Sequence, residues 1–380
     1  MASLSGETTF AVRRHLAKEG IERPDLGDIA RALRAVDGSG EVEHVRELYR
    51  EFSGLGELTA FLEDADLTDL VLNGDGSVWI DRGAGMELAG QLAGDPRTLA
   101  VRLAAACGAR VDDSCPFADG VLTDLPSDIR ADGLRVHIAL SPPAAGGPCI
   151  SLRAIAGSRW TVERLASTKT LHPQLVDTMR GLIAARKNFL ISGGTGSGKT
   201  TLLAAMLAEV PRSQRVLLVE DTPELMPSHP HCVRLSTRRA NTDGAGEIGM
   251  SELVKQSLRM RPDRVVVGEV RGKEIADLLI ALNTGHDGSA GTLHANSPEA
   301  VPGRLVALGT LAGLQPAAVE GQAADGIDVV LHMQRTPEGR RLTHISELMA
   351  GDGTQGGFQL RTVWASGPRA GWDEFQGALC

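Results

Sequence analysis

A chain of 380 residues, 42% hydrophobic and 23% charged, has the length for two domains and the composition of a globular protein, not of a disordered one. A net charge of −9 and an aromatic content of only 3% speak against a broad nucleic-acid surface, which needs a basic stripe and stacking rings. No run approaches 18 apolar residues and the opening MASLSGETTFAVRRHL lacks an apolar leader, so neither a membrane span nor secretion is expected.

Residues 1–60 read as a short helical segment. Leu26, Ile29, Leu33 and Val36 recur at helical spacing, as do Val42, Val45, Tyr49 and Phe52, with Gly38-Ser39-Gly40 between them. From 61 to 155 the texture changes to a small α/β domain. Its strand-like runs are Leu70–Leu72, Val78–Ile80, Leu134–Leu140 and Cys149–Ile155, with a helix over Pro96–Cys107. Asn73-Gly74-Asp75-Gly76 marks a hairpin between the first two runs. Residues 156–172 are polar and without period, the pattern of a linker. Between 173 and 350 helices alternate with the apolar runs Asn188–Ser192, Arg215–Val219 and Arg264–Val267, which predicts a mostly parallel sheet covered on both faces. The Gly-rich remainder, 351–380, is expected to be a flexible tail. The five cysteines (Cys107, Cys115, Cys149, Cys232, Cys380) form no Cys-x-x-Cys pair, which points to free thiols.

Four segments carry chemistry. Gly193-Gly194-Thr195-Gly196-Ser197-Gly198-Lys199-Thr200 fits G-x-x-x-x-G-K-[ST] between a strand-like FLIS and a helical TTLLAAML that starts at Thr200-Thr201. Glycines let successive backbone N–H groups turn inward around phosphates, Lys199 reaches the β- and γ-phosphates, and the Thr200 hydroxyl binds Mg²⁺. Lysine is scarce here, six among 39 basic residues, which makes its presence at this one position more telling. The second segment, VLLVEDTPE, ends in acids; Glu220 at its strand end could orient or deprotonate a water. In the third, RVVVGEVRG, Glu269 follows an apolar strand and is the candidate second carboxylate beside Mg²⁺. The fourth, TGHDGSAGTLHANS, offers His286 and His294 as γ-phosphate sensors; a metal site is not indicated, because no Cys or third His accompanies them.

In this order the four segments resemble the Walker A, Asp box, Gly-Glu Walker B and His box of the type II/type IV secretion-system ATPases. LRMRPDRVVVGEVRG is similar to the tight-adherence pilus-assembly branch. The resemblance runs from about 60 to 350. It implies a RecA-like P-loop core over 173–350, a covering N-terminal domain over 61–155, a ring of six copies, and hydrolysis of ATP with Mg²⁺. It further implies that Arg135 and Arg153 reach the nucleotide from the N-terminal domain, that Arg234 and Arg238 lie near a subunit boundary, and that Glu269 is the metal or water carboxylate while Glu220 positions water. Two departures stand out: Thr123–Asp132 is longer than the family's turn, and Ala290-Gly291 replaces bulkier residues before Thr292-Leu293-His294.

The implied partners are the chain's own copies and an inner-membrane platform protein, with indirect membrane contact at the cytoplasmic face. Competing readings are a conjugation-type ATPase, a RecA-like nucleic-acid translocase, and a nucleotide-binding scaffold without turnover.

Overall fold

The computed structural model describes residues 6–21, 24–38, 41–64, 66–83, 85–126, 128–155, 157, 160–238, 240, 245–351 and 357–379. Ser39-Gly40, Ser127, Ala156, Ser158, Arg159 and Cys380, which figure in the expectations above, lie outside them. The chain divides into an N-terminal lobe, Met1–Ala156, and a C-terminal lobe, Gly157–Cys380.

The N-terminal lobe opens with α1 (Gly6–Lys18), α2 (Leu26–Asp37) and α3 (Val42–Phe52), which share a core of Val12, Leu16, Ile29, Leu33, Val45 and Leu48. Asp25 starts α2 by capping it: Asp25 accepts from the Asp28 amide, and Asp28 accepts from the Asp25 amide. After the short α4 (Thr59–Leu62) come β1 (Asp69–Leu72), β2 (Ser77–Asp81), β3 (Met86–Gln91), α5 (Pro96–Ala106), β4 (Phe117–Leu122), β5 (Gly133–Ala139) and β6 (Cys149–Ile155). The six strands pair antiparallel in the order β3-β2-β1-β6-β5-β4. Burial alternates along β1, β2, β5 and β6, because one face packs on α5 and a core that begins at Leu55.

The C-terminal lobe comprises α6 (Val162–Ser167), α7 (Val176–Ala184), β7 (Phe189–Gly193), α8 (Lys199–Ala208), β8 (Val216–Glu220), β9 (Cys232–Ser236), α9 (Met250–Ser257), β10 (Arg264–Val270), α10 (Glu274–Leu282), β11 (Ala290–His294), α11 (Ala300–Leu311), α12 (Pro316–Gly326), β12 (Val329–Thr336), β13 (Gly339–Ala350), β14 (Phe358–Ala365) and α13 (Trp372–Gly377). Its sheet runs β14-β13-β12-β7-β11-β10-β8-β9. From β12 to β9 all neighbours are parallel; β13 and β14 add an antiparallel edge. Successive residues serve opposite cores: Phe189 and Ile191 pack on one face and Leu190 on the other, as do Leu331 and Val330. Burial on both faces is why these strands read as unbroken apolar runs.

Two expectations fail here. Residues 160–172 of the expected linker belong to the C-terminal lobe: Thr161 caps α6, and Val162, Leu165 and Leu171 are fully buried in its core. The expected flexible tail carries β14 and α13. Fully buried Trp364 packs at a tilt against Trp372, and Trp372 against Phe375, so the polar and glycine residues of this segment flank an aromatic anchor.

Candidate active site

β7 ends at Gly193, where φ is 147° and a Cβ would lie 2.2 Å from the Met333 carbonyl oxygen. Only glycine fits that approach. The loop then turns through Gly196 (φ 68°) and Gly198 (φ 97°), and α8 starts at Lys199. Ser197 is buried, with its hydroxyl donating to the Gly194 carbonyl at 2.9 Å. Lys199 Nζ donates to the carbonyls of Gly193 and Gly194 at 2.9 and 2.8 Å. Burial draws the ammonium below its ordinary value and Arg271 adds to this, against the opposing charge of Glu269. Thr200 and Thr201 are half-buried in the first turn of α8, and Thr195 is exposed at the loop's tip. The backbone concavity, its cation and the helix N-terminus together suit a polyphosphate.

The other three segments end at the same sheet edge. Glu220 closes β8, Glu269 lies at the carboxyl end of β10, and His294 closes β11 in register with Gly193. In open parallel sheets this edge is the ligand crevice. Burial raises the Glu269 carboxyl, but the hydrogen bond and charge of Arg271, with Lys199 and His294, outweigh burial and bring it below its ordinary value. It therefore stands as a carboxylate. Its partner Arg271, drawn by Asp221 and Glu224 as well, was not singled out from the sequence.

Glu220 is turned the other way. It is buried, Oε1 accepts the amides of Glu224 and Leu225 at 3.0 and 2.9 Å, and Oε2 has no partner among the described residues. Burial pushes its carboxyl up to about 7. Rather than facing water at the strand end, it holds the turn that follows β8. It also explains the Gly-Glu pair: a Cβ at residue 268 would meet Glu220 Cγ at 2.6 Å. The Gly268 carbonyl in turn accepts from the Thr292 hydroxyl at 2.6 Å, tying β10 to β11.

The two histidines separate. His294 is at the carboxyl end of β11, whereas His286 precedes its amino end, beside Gly288 and Ser289, whose amides donate to Asn188 Oδ1. Four strand residues, Ala290–Leu293, roughly 13 Å, stand between them. The γ-phosphate reading of His286 is thus corrected for this chain's own loop. The small Ala290-Gly291 pair has a packing cause: a Cβ at 291 would sit 3.3 Å from both Leu190 and Leu278.

Behind the loop, buried His332 meets the Ser192 hydroxyl through Nδ1 at 2.9 Å, and burial pushes its imidazole down to about 4. Nothing in VVLHMQ distinguishes it from a core histidine. On the hairpin tip Arg340 Nε donates to the Gly196 carbonyl at 3.0 Å, a contact across 144 positions that no local pattern announces.

Arg135 and Arg153 lie in the N-terminal lobe as directly paired residues of β5 and β6, on the sheet face opposite its core. Arg153 Nε donates to Asp69 at 2.8 Å and its side chain stays 59% exposed. Arg234 lies on β9, and Arg238 Nε donates to the Gly246 carbonyl at 2.7 Å.

Residues 65–341 match the family described as type II/IV secretion system protein. A putative conjugal transfer protein of Mycobacterium tuberculosis is 44% identical over 324 residues, 84% of this chain and 91% of that one. The probable conjugal transfer protein TrbB of Sinorhizobium fredii is 32% identical, covering 80% and 90%. Among solved structures, the ATPase DotB of Legionella pneumophila superposes with a TM-score of 0.57 at 19% identity, covering 78% of this chain and 81% of that one. The pilus retraction motor PilT with bound ADP gives 0.55 at 18%, covering 84% and 85%. These two bear on the fold, mixed α/β with secretion-ATPase neighbours.

Proposed function

Because the chain belongs to the type II/IV secretion system protein family, we propose that it is an ATP-hydrolysing motor working at the cytoplasmic face of an inner-membrane complex. One observation carries this reading: the ends of β7, β8, β10 and β11 bring the phosphate-type loop, Glu269 and His294 to one sheet edge. The RecA-like core would lie within the C-terminal lobe, Gly157–Cys380, with 61–155 as the covering domain and six copies in a ring. The pilus-assembly branch is favoured by LRMRPDRVVVGEVRG; the two relatives, both named as conjugal transfer proteins, favour conjugal transfer as the second reading. The acidic net charge and 3% aromatic content speak against a nucleic-acid translocase.

The residues present fit ATP with Mg²⁺. The loop is a cradle that side chains would fill, and Glu269 is held ionised beside Lys199. Thr200 and Glu269 would hold the metal, which when bound neutralises charge on the β- and γ-oxygens. Lys199 exchanges the carbonyls of Gly193 and Gly194 for phosphate oxygens. Glu269 leaves Arg271, orients the attacking water and accepts its proton. Glu220 keeps the turn after β8 in place. Arg135 and Arg153, side by side on one face of the N-terminal sheet, are the guanidinium groups that the family resemblance assigns to the γ-phosphate.

Steady-state ATPase measured over a dilution series tests this. Glu269→Gln should bind nucleotide and turn over at least a hundredfold more slowly, and Arg153→Ala on the order of a thousandfold more slowly. Specific activity should fall on dilution as rings dissociate. Wild-type turnover in the glutamine variant would remove Glu269 from its role. Stimulation by single-stranded DNA would favour the translocase.

A further inference from the structure

We propose that Arg340 is a positioning residue for the phosphate loop, fixing the peptide between Gly196 and Ser197 so that the Ser197 amide faces the phosphates. This rests on the nucleotide reading of residues 193–200. The peptide in question sits between Gly196 at φ 68° and Gly198 at φ 97°. With no Cβ on either glycine, the peptide plane can turn over at little steric cost, and the loop alone does not specify which way it faces. The Arg340 guanidinium specifies it: Nε donates to the Gly196 carbonyl at 3.0 Å. In a trans peptide the C=O and the following N–H point in opposite directions. Holding the carbonyl outward on Arg340 therefore aims the Ser197 N–H inward, where it makes only a long 3.4 Å bond to the Gly194 carbonyl. A phosphate oxygen is a better acceptor for that amide.

The arginine is itself held in place. Met333 of β12 pairs with Gly193 of β7, so the hairpin is anchored at the loop's own base. The Thr336 hydroxyl donates to the Gly339 carbonyl at 3.0 Å across the hairpin tip, and Arg341 pairs with Glu338 at 2.6 Å. The stem of Arg340 covers Gly198, its Cδ 3.4 Å from the position a Cβ would take. Among the described residues no carboxylate pairs with Arg340, so its charge is not committed elsewhere. Lys199 behaves differently. Its loop carbonyls are contacts a phosphate replaces, whereas the Gly196 carbonyl is taken by Arg340 from the β12–β13 hairpin, a bond the proposal keeps when nucleotide binds.

The test compares wild type, Arg340→Lys and Arg340→Met. Backbone amide exchange over 193–198 is measured without nucleotide, ATP and ADP affinities by calorimetry, and KM and kcat by steady-state ATPase. Arg340→Met should speed exchange at Ser197 and weaken both nucleotides about five- to tenfold, the loss of one charge-assisted hydrogen bond in an exposed setting. KM should rise with kcat within about twofold, and the melting temperature without nucleotide should hold. Arg340→Lys, which can donate to the same carbonyl, should recover most of the affinity. Wild-type exchange and affinity in Arg340→Met would overturn the assignment while leaving the nucleotide site intact. Loosened exchange along the whole hairpin with a lowered melting temperature would overturn it too, making the arginine a folding element. A wild-type protein that bound no ATP would instead remove the phosphate reading, and this assignment with it.

Discussion

The amino and carboxyl ends of the same parallel strands are built to different ends. At the amino ends, fully buried Arg264 spends its guanidinium on Gln214 Oε1, the Gly288 carbonyl and the Ile183 carbonyl, at 2.8, 3.1 and 2.7 Å. Beside it Asn188 donates to the carbonyls of Leu282 and Gly326 and accepts the amides of Gly288 and Ser289. These bonds join β7, β10, β11 and their flanking helices. At the carboxyl ends, Lys199 rests on its own loop's carbonyls and Glu269 on an arginine two positions along. One edge uses its polar groups to hold the sheet; the other keeps charge on contacts that a ligand can take over. Buried polar groups of the first kind cost stability when broken, whereas those of the second kind are available for binding.

The largest expected effect is at the ligand edge. Lys199→Ala should weaken ATP by roughly a hundredfold or more, because the phosphate charge loses its nearest cation. His294→Ala should lower turnover on the order of tenfold or more while leaving affinity near wild type. Titration calorimetry and steady-state kinetics separate the two. Melting temperatures without nucleotide should barely change in either, since neither side chain bears on the core. A collapse of stability in Lys199→Ala would erase the distinction between the edges.

The structural edge should fail in the opposite sense. Arg264→Met leaves two backbone carbonyls and Gln214 without their buried donor, costing about 3–5 kcal/mol and roughly 10 °C of melting temperature. Nucleotide affinity of the folded protein should stay within a few-fold. Differential scanning calorimetry with and without ATP measures both quantities.

This division was only partly legible in the sequence. Apolar runs revealed β7, β8 and β10 because both faces of each are buried, and the glycine loop revealed the phosphate site. β11 did not show as a strand, since AGTLH carries small residues where Leu190 and Leu278 press on it. Arg264 reads as an ordinary charge at a strand's start, and only the three-dimensional meeting of α7, β10 and β11 makes it a bolt. Val162, Leu165 and Leu171 were too sparse to mark a folded segment. Trp364 and Trp372 anchor a terminus whose glycines suggested looseness. The orientation of Glu220 was equally hidden: it depends on the turn to Leu225 and on the absent Cβ at residue 268.

Glu220 sharpens the comparison through pH. It sits at the ligand edge yet behaves as a structural group, with a carboxyl raised to about 7 from an ordinary 4.5 by burial. The folded state therefore holds this proton more tightly than the unfolded chain. Its contribution is fully present below pH 4.5 and is lost as pH rises through about 7, by roughly 3 kcal/mol across that window. Glu220→Gln keeps an oxygen for the amides of Glu224 and Leu225 and cannot ionise. Its stability should be flat over the window where wild type declines, as read by denaturant unfolding at pH 5, 6, 7 and 8. Equal slopes in the two proteins would mean that the carboxyl ionises freely and that the turn does not depend on it.

The smallest effect is expected at His286, and it decides whether one motif serves one edge or both. His286 and His294 lie eight positions apart in a single Gly-rich run, yet β11 carries them to opposite ends of the sheet. Among the described residues His286 Nδ1 is buried without a partner, so the ring adds no polar bond to them at the structural edge. What it does contribute there is backbone: its carbonyl accepts the Ser289 hydroxyl at 2.6 Å, and the Ser289 hydroxyl accepts the Val265 amide at 2.9 Å. Alanine keeps that chain of bonds and removes a polar atom whose burial is uncompensated, offsetting the lost packing of the ring. His286→Ala should therefore hold ATP affinity and turnover of the monomeric site within about twofold and shift stability by less than about 1 kcal/mol. Single-turnover hydrolysis at low and high protein concentration separates the possibilities. A deficit at all concentrations would place His286 in its own chain's chemistry, against the geometry. A deficit confined to high concentration would place it at a boundary between copies, making the amino edge a contact surface as well as a brace.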